Sequence, residues 1–120
     1  MTNSQELGKK GEDLAKEFLA KLNYSIIETN WHYGHLEIDI IAENVSIVVF
    51  CEVKTRSSDK MGNPEDFVTI QKQRNMIKAA NHFVLKKCIN KEVRFDIISI
   101  IENKNGYKIQ HIPDAFTPRW

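Results

Sequence analysis

Cysteine is scarce in this chain, at 2 residues of 120, and proline at 3, glycine at 5 and tryptophan at 2 are scarcely more frequent. Two cysteines, Cys51 and Cys88, make no disulfide framework, and both are expected as buried or free thiols. No repeat or low-complexity tract is visible. No apolar run approaches the roughly 20 residues that span a bilayer, and the start, Met1-Thr2-Asn3-Ser4-Gln5, lacks the basic-then-apolar pattern of a signal peptide. The expectation is a cytoplasmic protein with no membrane segment. Nor does one sign of charge dominate, since 17 Lys and Arg face 16 Asp and Glu. What the chain does have is 42% hydrophobic residues over a length of 120, enough for one ordinary domain, residues 1–120, with a core of its own.

The charge is unevenly spread. Residues 1 to 53 carry 4 Lys and Arg against 9 Asp and Glu, whereas residues 54 to 94 carry 10 against 4. A basic middle segment can track a phosphate backbone while an acidic half supplies metal ligands, although a charge run is more often a solvated helix face.

Leu7, Leu14, Ala15, Phe18, Leu19 and Leu22 recur with a helical period, which predicts a first helix with Ser4 or Asn3 as its N-cap. Gly8 and Gly11 inside it each weaken a helix by about 1 kcal/mol relative to alanine, so they point to close approach of another backbone or a ligand. Tyr24 to Trp31, Leu36 to Glu43 and Ser46 to Lys54 read as a three-strand meander with turns at Gly34 and Glu43-Asn44. Thr55 to Asp66, with Gly62 and Pro64, reads as a loop. Thr69 to Lys87 reads as an amphipathic basic helix: Ile70, Met76, Ile77, Ala80, Phe83 and Val84 repeat at helical spacing, with Lys72, Arg74, Lys78, Lys86 and Lys87 largely elsewhere. Val93 to Ile101 and Tyr107 to Ile112, joined through Asn105-Gly106, add two strands. The expected order α-β-β-β-α-β-β makes an α/β fold with a mixed sheet flanked by helices.

Three ionisable residues fall where this pattern expects apolar ones. The run Ile47-Val48-Val49-Phe50-Cys51-Glu52-Val53-Lys54 puts Glu52 and Lys54 on one strand face with Val48 and Phe50. The run Leu36-Glu37-Ile38-Asp39-Ile40-Ile41 carries Asp39 among apolar neighbours. Charges are costly to bury unless something pairs with them. Two carboxylates from adjacent strands can hold a hard divalent cation such as Mg²⁺, which polarises a phosphodiester and lowers the pKa of a bound water. A nearby lysine orients that water or offsets developing negative charge. Glu12, on the first helix, can reach toward a strand edge, and its plain alternative is an exposed helix acid.

An Asp followed, after a gap, by Glu-x-Lys in a strand resembles the PD-(D/E)xK, or restriction-endonuclease-like, superfamily. Further motifs stand in order: Gly8-Lys9-Lys10-Gly11-Glu12-Asp13-Leu14-Ala15, Glu37-Ile38-Asp39-Ile40-Ile41-Ala42, Val49-Phe50-Cys51-Glu52-Val53-Lys54-Thr55-Arg56, Lys72-Gln73-Arg74, Arg94-Phe95-Asp96 and His111-Ile112-Pro113-Asp114-Ala115-Phe116. Together they resemble the YraN-like family of small bacterial proteins, over nearly the whole chain. The resemblance implies a restriction-endonuclease-like sheet, with Asp39 and Glu52 as ligands of Mg²⁺ or Mn²⁺ and Lys54 as the catalytic lysine. It further implies Glu12 as an additional acid and Gln73 as a polar helix residue near the metal, with Arg56, Lys72, Arg74 and Lys78 on nucleic acid. Two positions depart from the pattern: Ile38 stands where the superfamily name has proline, and Leu36 stands where the family commonly has glycine, with Gly34 two places earlier to shift the turn.

Plainer readings stand beside these. Glu52 and Lys54 can form an exposed salt-bridging face, and Arg94 and Asp96, also two apart, are read as pairing with each other or supporting the sheet. His32, His35 and Glu37 raise zinc, but no cysteine pair joins them and zinc is set aside. Trp31 and Trp120 are read as packing or terminal residues, with Trp31 close enough to a loop to stack on a base. The leading expectation is a Mg²⁺- or Mn²⁺-dependent nuclease that hydrolyses phosphodiester bonds in DNA, branched or damaged DNA included, in preference to RNA. The alternative is a nucleic-acid-binding module of the same fold that works through a partner without cleavage, and a third reading is purely structural. A homodimer is left open, since no isolated apolar stripe marks an interface.

Overall fold

Apolar residues three and four apart give the first segment one greasy stripe, and a helix, α1 (Ser4–Lys21), forms over it. The computed structural model describes residues 4–57 and 68–118. After α1 come β1 (Ser25–Tyr33), β2 (Leu36–Glu43), β3 (Ile47–Ser57), α2 (Ile70–Lys86), β4 (Glu92–Asn103) and β5 (Gly106–Phe116). The expected element order is observed. The strands form one five-stranded sheet in the order β1-β2-β3-β4-β5. Only β3 and β4 run parallel, and all other neighbours are antiparallel. A parallel pair cannot be joined by a tight turn, which is why the β3–β4 connection carries α2. The hairpin turns follow their sequences: Gly34 takes φ +61° between β1 and β2, and Gly106 takes φ +125° at the start of β5. Asn44 Oδ1 accepts from the Ser46 and Ile47 N–H groups, at 2.9 Å each, and closes the β2–β3 turn.

Some boundaries differ from expectation. β3 continues to Ser57, because Thr55, Arg56 and Ser57 keep pairing with Ile100, Ile101 and Glu102 of β4. The rest of the predicted loop, with Gly62 and Pro64, lies outside the described residues, as do Asn3 and Trp120. Ser4 is already helical. β5 passes through Pro113 to Phe116, which its position at the sheet edge allows. At α2 the N-cap is Thr69, whose hydroxyl accepts from the Lys72 N–H at 3.1 Å.

Each sheet face has its own core. On one, Met76, Ala79, Ala80 and Phe83 of α2 cover Ile38, Ile41, Val48, Phe50, Phe95 and Ile97. On the other, Ala15 and Leu19 of α1 cover Ile40, Ala42, Val49, Cys51, Ile98 and Ile100. Burying such a side chain contributes roughly 1.5–3 kcal/mol, so β3, buried from both sides, is the strand around which the domain is organised. Trp31 packs edge-on against Phe83 at 5.2 Å, which gives it a packing role. Cys51, buried, and Cys88, exposed, are both free thiols. No helix among the described residues is long and apolar enough to cross a membrane.

Candidate active site

β2 and β3 pair only where Ile40–Glu43 faces Val48–Cys51. Beyond Ile40 the side-chain alternation of β2 breaks, for Ile38 packs in the α2-side core and Ile40, two residues on, in the α1-side core. Asp39 stands at this break. Its Oδ2 accepts the Val53 N–H at 2.8 Å, so the side chain takes a main-chain donor that the ladder leaves open. Glu52 follows Cys51 on β3 and points to the α2 side, where its Oε1 lies 3.5 Å from Lys72 Nζ. The other carboxyl oxygen, Oε2, is buried and meets no N–H or O–H donor, and the Glu52 and Asp39 carboxyls lie close enough to share a hydrogen bond when one of them is protonated.

Beside this pair opens a cleft of about 300 Å³, lined by Gly8, Glu12, Asp39, Val53, Lys54 and Thr55. Three residues singled out from the sequence, Glu12, Asp39 and Lys54, therefore meet at one cleft, with Glu52 adjoining it through Val53. Glu12 is held from the other side by Asn30, whose Nδ2 donates to Oε1 at 2.9 Å. Asn30 adopts φ +48°, a left-handed conformation that asparagine tolerates better than most residues. The two helix glycines have different reasons. A Cβ on Gly11 would lie 2.0 Å from Thr55 Oγ1 and 2.9 Å from Thr55 Cβ, so glycine lets α1 settle against β3 at the edge of the cleft. At Gly8 a Cβ would meet nothing within 4 Å, and the missing side chain leaves the cleft wider.

Burial pushes Asp39 above the usual carboxylate range, helped by the charge of Glu37 and opposed by the Val53 N–H and Lys72. Burial also pushes Glu52 up, to about 7, with the Asp39 charge adding to it and Lys72 opposing. Two part-buried carboxyls thus lie together, with Lys72 against Glu52. An all-oxygen pair with an acceptor that meets no donor group fits Mg²⁺ or Mn²⁺, which need only one or two protein carboxylates alongside water and phosphate. No group of three or more His, Cys, Asp or Glu gathers among the described residues. His32 lies 3.8 Å from Glu37 across the β1–β2 hairpin, and His35 is exposed at its turn.

The remaining candidates separate. Gln73 donates to the Val68 carbonyl at 3.2 Å, at the start of its own helix, and the α2 residue that meets Glu52 is Lys72. Arg74 and Lys78 are exposed on α2, whereas Arg56 is buried, at 7% exposure, near the end of β3. Neither the Asn30–Glu12 contact nor the Lys72–Glu52 contact has a sequence signature, because both join segments brought together only by the fold.

A second polar cluster is structural. Asp96, fully buried, accepts from Arg94 Nε and Nη2 at 2.8 Å each and from the Asp114 N–H at 3.0 Å. His111 Nε2 lies 2.7 Å from Asp96 Oδ2, and Arg94 also donates to the Tyr24 hydroxyl at 3.0 Å. Here β5 bulges, since Phe95 pairs with Phe116 but Ile97 pairs with Ile112, and the Asp96 carboxylate fills the gap. Burial alone would raise Asp96, but His111, Arg94 and the Asp114 N–H outweigh it and hold the carboxyl below its ordinary value. Arg94 and Asp96 support the sheet, as their spacing suggested.

Residues 11–100 match the model of the uncharacterised protein family UPF0102, a span that takes in Glu12, Asp39, Glu52, Lys54 and Lys72. The chain is 50% identical over 116 residues to a UPF0102 protein of Christiangramia forsetii, covering 97% of this chain and 98% of that protein. It is 48% identical over 116 residues to one of Flavobacterium psychrophilum, with the same coverage of 97% and 98%. A relative from Parabacteroides distasonis is 41% identical over 116 residues, covering 97% and 96%. With three-quarters of its length inside the family model and relatives matched from end to end, the chain belongs to UPF0102, the YraN-like family that its ordered motifs resemble.

Proposed function

We propose that this protein is a divalent-metal-dependent nuclease that hydrolyses phosphodiester bonds in DNA, with branched or damaged DNA as the expected substrate. One observation carries the reading: Asp39 and Glu52 converge where β2 parts from β3, both raised by burial and close enough for the Asp39 charge to raise Glu52 further, with no donor group on Glu52 Oε2. Structural carboxylates in the same protein are treated differently, as Asp96 with its four contacts illustrates.

Asp39 and Glu52 would hold Mg²⁺ or Mn²⁺, which when bound supplies Lewis-acid polarisation of the phosphate and a more acidic water. The other steps belong to the chain's own groups. Asp39 is fixed by the Val53 N–H, so one oxygen is oriented before any ligand arrives. Lys54, on the cleft wall, offsets the negative charge that grows on the phosphoryl oxygens. Glu12, bonded by Asn30, lines the same cleft and would serve as the additional acid of the site, accepting a proton from an attacking water. Lys72 partly compensates Glu52 in the metal-free protein.

The test is cleavage of labelled single-stranded, duplex, flap and four-way-junction DNA, and of RNA, with Mg²⁺ or Mn²⁺. Wild type should cut, and Asp39→Asn and Lys54→Ala should each lower the rate by about 100-fold or more. A clean absence of cutting with salt-sensitive binding retained would replace this reading by that of a nucleic-acid-binding module acting through a partner.

A further inference from the structure

Tyr33 and His82 form the one stacked pair among the described residues that faces outward, with ring centroids 3.6 Å apart and planes 19° from parallel. Tyr33 ends β1 at the tip of the β1–β2 hairpin and is 39% exposed. Strand alternation puts it on the same face as Trp31, but Trp31 meets the buried Phe83 while Tyr33 meets the neighbouring His82 at the rim. Four residues to either side of His82 on α2 stand Lys78 and Lys86, both exposed, so the ring pair sits within a cationic stripe. An aromatic face set between lysines at such spacing matches a nucleotide, with its base on the ring and its phosphates on the ammonium groups.

We propose that the Tyr33–His82 stack is a platform for an unpaired base of the nucleic-acid substrate, with Lys78 and Lys86 holding the flanking phosphates. This rests on the nucleic-acid reading of the protein and narrows its substrate class. Leu36, the cross-strand partner of Tyr33, is three residues from Asp39, about 10 Å along the strand, so a strand seated on the platform passes within reach of the candidate site. Bases inside a continuous duplex are stacked on each other and offer no free face, whereas a flap, a junction arm or a single strand does. The preferred substrate is therefore one with an unpaired nucleotide close to the phosphodiester that is cut.

The experiment is metal-free fluorescence anisotropy with a labelled single strand, a flap and a continuous duplex of matched sequence. Proteins compared are wild type, Tyr33→Ala, Tyr33→Phe and the Lys78→Gln/Lys86→Gln pair, each checked for its thermal midpoint. Tyr33→Ala should reduce the ratio of flap to duplex affinity by about tenfold, in line with the loss of one base stack, and Tyr33→Phe should retain it. The lysine pair should weaken all three probes and flatten their salt dependence. An unchanged flap-to-duplex ratio in Tyr33→Ala, with wild type binding normally, would overturn the platform and leave the nuclease reading standing. No binding of any probe by wild type would overturn both.

Discussion

Asp96 and Glu52 are both carboxylates taken out of water on neighbouring central strands, yet burial has opposite outcomes for them. Asp96 meets a guanidinium, an imidazole and a main-chain N–H, and its affinity for protons falls. Glu52 meets one lysine at 3.5 Å and another carboxylate, and its affinity rises to about 7. The folded state therefore binds more protons at Glu52 than the unfolded chain does between its ordinary value of 4.5 and about 7. Across that window metal-free stability should decline as pH rises, by up to about 3 kcal/mol if Glu52 acts alone. Urea unfolding at pH 5 and pH 8 measures this; Glu52→Gln should show a smaller decline, the remainder coming from Asp39, and Mg²⁺ at pH 8 should offset it more in wild type than in the variant. For Asp96 the sign is opposite. Its contribution is full above the ordinary carboxylate value of 3.8 and is lost as pH falls through its lower folded value. Asp96→Ala strands Arg94 and the Asp114 N–H, and should cost about 3 kcal/mol in urea unfolding at neutral pH, with no response to Mg²⁺.

The contact of α1 with β3 shows how an element can be placed by a residue that is not there. Gly11→Ala gains helix propensity of about 1 kcal/mol but drives a methyl group into Thr55, whose Cβ is as rigid as the strand that carries it. The clash should win and destabilise the protein by about 1–3 kcal/mol. Gly8→Ala meets nothing and should stabilise by up to about 1 kcal/mol, while adding bulk to the cleft lining. Thermal denaturation of the two variants side by side tests the contrast. Elements of this kind were largely legible in the sequence, because the hydrophobic period of α1 and α2, the glycines at the turns and the apolar run of β3 are local signals. The ends of β3 and β5 were not. Thr55–Ser57 resembles a loop in composition and is kept extended only by pairing with β4, and Pro113 sits in a strand only because that strand is an edge. Asp39, Glu52 and Lys54 stood out as charges in apolar runs, and the fold brings Asp39 and Lys54 to one cleft with Glu52 beside it. The partners Asn30 and Lys72, and the stacked rings of Tyr33 and His82, depend on contacts between distant segments that no spacing announces.

Across the whole molecule the near-neutral total of +1 hides an uneven distribution of acidic and basic residues. The acidic first half supplies α1 and the strands that carry Glu12, Asp39 and Glu52, whereas α2 crosses the same end of the sheet with Lys72 turned inward and Arg74 and Lys78 turned out. Under the proposed nuclease reading, a polyanion on the outer face of α2 would lie beside a carboxylate pair that repels it unless a cation neutralises that pair. Two consequences are measurable. Divalent cation should tighten DNA binding by wild type more than by Asp39→Asn, measured at constant ionic strength with Ca²⁺ in place of Mg²⁺ to suppress cutting. In metal-free buffer the logarithm of duplex affinity should fall linearly with the logarithm of salt concentration, and Arg74→Ala and Lys78→Ala should each reduce the slope by about 1. Equal tightening of wild type and Asp39→Asn would show that the cation acts elsewhere, and an unchanged slope in both α2 variants would remove this helix from the binding face.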